Sequence, residues 1–120
     1  MATDKTKPFG QILREKRVAK GFSLRKFAER LDVSPTYLSQ VEQGNAAPPT
    51  AERVRHMAEL LGENADALTA MAGRCPDDLP GIIQKRPLQM PELLREASGM
   101  TAEQLKKLLA QARKLKEKDG

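Results

Sequence analysis

Residues Leu24 to Gln43, LRKFAERLDVSPTYLSQVEQ, carry two helical periods separated by a short break. Leu24, Phe27, Ala28 and Leu31 recur at helical spacing and make one apolar face. Asp32-Val33-Ser34 interrupts that period. Ser34 then stands where an N-cap is needed, Pro35 fits a first helical turn, and Tyr37, Leu38 and Val41 open a second face. Two short helices joined by so tight a turn meet at a steep angle, which restricts what each contact position can hold. Ala28 falls where the first helix approaches the second, and a larger side chain there would push them apart. Asp32 falls where the backbone must turn left-handed. Glycine is easiest at such a position, and aspartate is among the few other residues that tolerate it.

The pattern extends to both sides. Phe9 to Lys20 is expected to be helical, with Phe9, Ile12 and Leu13, joined by Val18, on one face, and Arg14, Lys16, Arg17 and Lys20 mostly outside it. Gly21 stops that helix. Ser23 caps the next one, about Leu24 to Leu31, with Lys26 where a capping-box acid would stand. A third helix runs from about Pro35 to Gln43. Gly44 to Pro49 is a loop, since its two prolines cannot continue a helix. Thr50 caps a fourth helix, Ala51 to Leu61, with Val54, Met57, Ala58 and Leu61 inward and Gly62 closing it. A fifth spans about Ala65 to Ala72, with Leu68 and Met71 inward. Five short helices in so short a stretch make a compact all-α domain.

The chain has 120 residues, room for one such domain and an appendage. We divide it into a flexible arm at 1–8, a helical domain at 9–72, a Pro/Gly-rich hinge at 73–90 with a short helical turn around Ile82, and a helical segment at 91–120. In the last, Pro91 starts a helix through about Ala97. Thr101-Ala102-Glu103-Gln104 has capping-box form and opens a final helix to about Lys116. Aromatic residues are 3% of the chain and Trp is absent, so the core must be built from Leu, Ile, Val, Met and Ala. The net charge of +5 favours an anionic partner, nucleic acid first. A single cysteine, Cys75, excludes an internal disulfide framework and a cysteine-based zinc site, and suits a reducing cytosol. No apolar run approaches the ~18 residues of a membrane span. A cytoplasmic location and no membrane contact are expected.

The central pair of helices has the layout of a DNA-binding helix-turn-helix. Residues 9–62 resemble the Cro/C1-type (XRE-family) helix-turn-helix domain of phage repressors and related bacterial regulators. The matching pieces are FGQILREKRVAKG, SLRKFAERLDVS, SPTYLSQVEQG and PPTAERVRHMAELLG. The resemblance implies an all-α, five-helix, lambda-repressor-like DNA-binding domain, here followed by a small helical C-terminal segment. It also implies that the third helix enters the major groove of double-stranded DNA.

The base readers are then Thr36, Tyr37 and Gln40, with Ser39 and Gln43 at the edge. Gln40 can bond adenine through N6 and N7, or the acceptor edge of guanine. Thr36 offers a hydroxyl to a base or a methyl to thymine. Tyr37 can lie against a thymine methyl or donate to a phosphate. Pro35 cannot hydrogen-bond a base. Phosphate contacts are expected from Ser23, Arg25, Lys26, Ser34 and Asn45, with Arg14 and Arg17 behind them. Such contacts set position and salt dependence rather than sequence choice.

Related repressors bind as dimers to near-palindromic sites whose half-sites lie roughly 34–36 Å apart. Leu93, Leu94, Met100, Leu105, Leu108, Leu109 and Leu115 form an apolar stripe suited to joining two copies. The expected function is a dimeric transcriptional repressor. The alternative is an antitoxin-type or protease-controlled protein that binds its partner, a toxin or a protease, through the C-terminal helices. No cofactor, metal site or catalysis is expected. His56 lacks ligand or acid–base company. Cys75 has only Arg74 beside it, Asp77-Asp78 reads as a turn before Pro80, and the lysines after Lys106 read as the wet face of a helix.

Overall fold

The computed structural model describes residues 7–119; most of the arm expected at 1–8 lies outside the described residues. Among the described residues all regular structure is helical, and the chain divides into two compact units that meet between Asp77 and Asp78.

The first unit holds α1 (Phe9–Lys20), α2 (Leu24–Leu31), α3 (Pro35–Gln43), α4 (Ala51–Leu61) and α5 (Ala65–Met71). Local chemistry sets nearly every boundary. The Ser23, Ser34 and Thr50 hydroxyls accept hydrogen bonds from the backbone N–H of Lys26, Tyr37 and Arg53 at 3.1, 3.0 and 3.3 Å, and the Asn64 side chain does the same for Ala67 at 2.8 Å. Each bond satisfies one of the donors that a helix start leaves open. Asp32 closes α2 in the left-handed conformation at φ 59°, and the N–H of Val33 reaches back to the Ala28 carbonyl at 3.0 Å. The chain is thereby turned so that α3 can start two residues later.

Leu13, Phe27, Leu38, Val54, Met57 and Leu68 form the centre of the core, with Ala28 fully enclosed where α2 meets α3. The Phe22 and Phe27 rings pack with centroids 5.3 Å apart. Two expected inward residues face outward instead: Val18 is 59% exposed and Met71 is 50% exposed. The place expected for Val18 on the inner row of α1 is taken by Arg17, which is 8% exposed. Gly10 is also buried. A Cβ built there would collide with the backbone carbonyls of Val41 and Glu42, the latter at 2.6 Å, so the missing side chain is what lets α1 lie against the end of α3.

The second unit holds α6 (Leu79–Lys85), α7 (Gln89–Ala97) and α8 (Ala102–Asp119). α6 packs against α7. In the segment at 73–90, read as a hinge, the short helical turn expected around Ile82 is thus a complete helix, α6. The capping box before α8 is closed in both directions: the Gln104 N–H donates to the Thr101 hydroxyl at 3.2 Å, and the Gln104 side-chain oxygen accepts from the Thr101 N–H at 2.9 Å. From Leu79 to Lys118 no residue is buried, and Leu93, Leu94, Leu105, Leu109 and Leu115 are all exposed. No helix among the described residues is long and apolar enough to cross a membrane.

Candidate nucleic-acid interface

α3 is anchored from beneath by Leu38 and Val41, both buried. That anchoring turns Thr36, Gln40 and Gln43 to solvent, while Tyr37 and Ser39 are half-buried. Among the described residues the Gln40 amide has no intramolecular side-chain partner, whereas that of Gln43 is committed. Gln43 Nε2 donates to Ser39 Oγ at 3.0 Å, and Asn45 Nδ2 donates to Gln43 Oε1 at 3.2 Å. A side chain with both amide ends free is better suited to bidentate recognition of a base than one already tied to its neighbours.

Glu42 is the only acidic residue of α3. Its carboxylate is withdrawn beneath the helix and gripped by Arg17, with Nε 2.7 Å from Oε2 and Nη2 3.0 Å from Oε1. Arg17 Nη1 also donates to the Phe22 carbonyl at 2.8 Å. The two side chains are 9% and 5% exposed, so the pair is desolvated and matched in charge. The outer face of α3 therefore carries amides and hydroxyls with no carboxylate. The same bonds correct the expectation for Arg17. Its guanidinium is spent inside the unit and is not free to meet a phosphate.

The other expected phosphate contacts lie at the surface. Arg14, Arg25, Lys26 and Asn45 are exposed. Lys26 stands 3.7 Å from Glu29 in an open pair that water screens. Ser23 and Ser34 are exposed, and each hydroxyl accepts a cap bond while keeping its own O–H to donate. Arg14 lines a concave surface with Gln11, Leu24, Ser39 and Gln43, placing a cation next to the edge readers.

One residue of this neighbourhood went unread in the sequence. Arg53, in the first turn of α4, holds its guanidinium 5.5 Å from the centre of the Tyr37 ring. Elsewhere, Arg74 is turned to the Pro48 and Pro49 carbonyls at 2.6 and 3.0 Å, and Cys75 is exposed. A hydrogen bond from Lys7, with a second from Gln11, holds the Glu15 carboxyl below its ordinary range on the outer side of α1.

Comparison with known proteins identifies the motif in the first unit. A family model described as a helix-turn-helix domain matches residues 8–71. Two uncharacterised HTH-type transcriptional regulators, from two strains of Mycobacterium tuberculosis, are each 39% identical over 64 residues, which cover 53% of this chain. The match spans 45% of each relative's own length, so this chain accounts for about half of those proteins. Among solved structures, the clp gene regulator ClgR of Corynebacterium glutamicum aligns at 34% identity with a TM-score of 0.46, covering 54% of this chain and 83% of that one. A SinR protein/SinI protein complex aligns at 23% identity with a TM-score of 0.48, covering 91% of this chain and 98% of that one.

Proposed function

This chain belongs to the helix-turn-helix domain family, in its Cro/C1 (XRE) type, and from that premise we propose that it is a dimeric repressor that reads near-palindromic operators through the major groove. The observation that carries the reading is the outer face of α3. It shows Thr36 and an uncommitted Gln40 to solvent while the only carboxylate of the helix is locked beneath it by Arg17. Placed in a groove, this face meets base edges without repelling the flanking phosphates. Thr36 and Gln40 carry base recognition, with Ser39 and Gln43 at its margin. Arg14, Arg25, Lys26, Ser23, Ser34 and Asn45 hold the backbone. No activating surface is invoked, since a protein seated on a promoter blocks it by occupancy alone.

The test is titration of the full chain against the DNA upstream of its own gene, at two salt concentrations, with a scrambled duplex as control. Tight, selective binding with a footprint of two half-sites is expected. Equal, weak binding to both duplexes that disappears at the higher salt would overturn the reading. Gln40→Ala is expected to lose about 1–3 kcal/mol and to relax preference at one base position. A uniform loss on every sequence would remove Gln40 from the readers.

For the second unit we propose self-association. Leu93, Leu94, Leu105, Leu109 and Leu115 are exposed, and Met100 and Leu108 are half-covered. A surface this apolar on a short chain is seldom left in water. A second copy suits it because a two-fold interface must complement itself. α7 offers Glu92 and Glu96, whereas α8 is rich in lysine, so the two helices carry opposite signs across such an axis. The double variant Leu105→Ser with Leu109→Ser should sediment as a monomer, keep the melting transition of the first unit and bind the operator more weakly. A variant that sedimented as the wild-type dimer would remove these leucines from the interface.

A further inference from the structure

Arg53, held against the Tyr37 ring, is a cation that neither the packing nor the reading above employs. It is half-buried, and among the described residues no carboxylate forms an ion pair with it. Glu52, Arg55, His56 and Glu59 line the same shallow concavity without capturing its guanidinium. Every buried side-chain nitrogen and oxygen among the described residues has a partner, so the unpaired donors of Arg53 face water. Its guanidinium nevertheless has a neighbour that sets its position, the Tyr37 ring at 5.5 Å. That ring is half-buried and packed against the core.

An arginine stacked on an aromatic face loses little further freedom when its planar fork meets a phosphate, and the fork suits two phosphate oxygens at once. We propose that Arg53 and Tyr37 act as one unit, in which Tyr37 is a positioning residue and Arg53 clamps a DNA backbone phosphate flanking the base pairs read by α3. The inference rests on the DNA-binding reading and deepens it. It also redefines Tyr37: a ring face next to a guanidinium is not free to lie on a thymine methyl. The unit fixes the register of α3 from the α4 side, in addition to the contacts made from α2.

The test begins with selection of bound sequences from a randomised duplex library by the full-length protein. The selected duplex is then titrated across a salt series with the wild type, Arg53→Ala, Arg53→Lys, Tyr37→Phe, Tyr37→Leu and the double Arg53→Ala, Tyr37→Leu variant. Arg53→Ala is expected to weaken binding about tenfold, equally on duplexes altered at read positions, and to lower the salt slope by about 0.9. Arg53→Lys should recover the slope but only part of the affinity, because the ammonium cannot stack. Tyr37→Phe, which keeps the ring face beneath the guanidinium, should keep the wild-type salt slope, and the double variant should bind no worse than Arg53→Ala alone. An Arg53→Ala protein with wild-type affinity and slope would overturn the proposal, as would a changed base preference or a double variant that loses the product of the two single losses. Melting curves identify any variant that fails to fold. Should Tyr37→Leu be one, the Arg53 variants and Tyr37→Phe decide alone. A wild type that selects no duplex would bring down the DNA reading itself, whereas selection by the wild type with unchanged Arg53 variants brings down only this pair.

Discussion

Glu42→Ala is expected to cost the first unit about 3–5 kcal/mol, lowering its Tm by at least about 12 °C in a thermal melt followed by circular dichroism. The change removes a side chain only 5% exposed, and the void it leaves is the smaller part of the effect. Its main cost comes from what it leaves behind, a buried Arg17 whose guanidinium has only the Phe22 carbonyl to meet it. A domain of this size holds a total of roughly 5–15 kcal/mol, so that single orphaned charge consumes much of it. Joint replacement, Arg17→Met with Glu42→Leu, should recover most of the loss, because two apolar side chains of similar volume carry no desolvation cost. A Glu42→Ala protein melting within about 2 °C of the wild type would show that the pair contributes little.

Gly10→Ala should also destabilise, against the ordinary rule for helices. In an open helix the exchange gains about 0.5–1 kcal/mol from reduced backbone freedom. Here the new Cβ meets two backbone carbonyls at the end of α3, those of Val41 and Glu42, and neither can rotate away as a side-chain tip would. The two helices must separate, and we expect the upper end of the roughly 1–3 kcal/mol typical of overpacking, net of the propensity gain. Because α3 is the helix displaced, DNA affinity should fall by more than the stability loss alone explains, even where the protein is fully folded. Equal or raised stability in a urea melt would show that α1 and α3 can part without cost.

Local chemistry accounts for what could be read from sequence. Caps at Ser23, Ser34 and Thr50 and the left-handed stops at Gly21 and Asp32 involve residues within five positions of each other. What escaped was long-range or depended on burial. Phe9, Leu13 and Arg17 lie four apart, so the period itself points Arg17 inward; its charge argued the other way, and Glu42, which resolves the conflict, lies 25 residues further on. Nothing in the sequence ties Arg53 to Tyr37 across a turn, a loop and two caps. Gly10 did leave a signal, since glycine inside a helix is disfavoured unless something passes close to it. In the second unit, prolines suggested breaks. Pro80 instead occupies the first turn of α6, as Pro91 does, in line with expectation, in α7, where a missing N–H leaves no bond unmade.

The absence of any interior between Leu79 and Lys118 bears on dosage. Helices of 7, 9 and 18 residues gain little stability by themselves in water, and the first two fall below the ~12–15 residues at which an isolated helix is even marginal. In the two-copy arrangement proposed above, each copy supplies the other's interior, so the tail's stability rises with the logarithm of protein concentration. Such a segment has no fixed melting point, only one for each abundance. As the protein is diluted the tails fray first, and operator occupancy falls more steeply than protein amount. In that proposed arrangement, the quantity sensed by this half of the molecule is its own copy number.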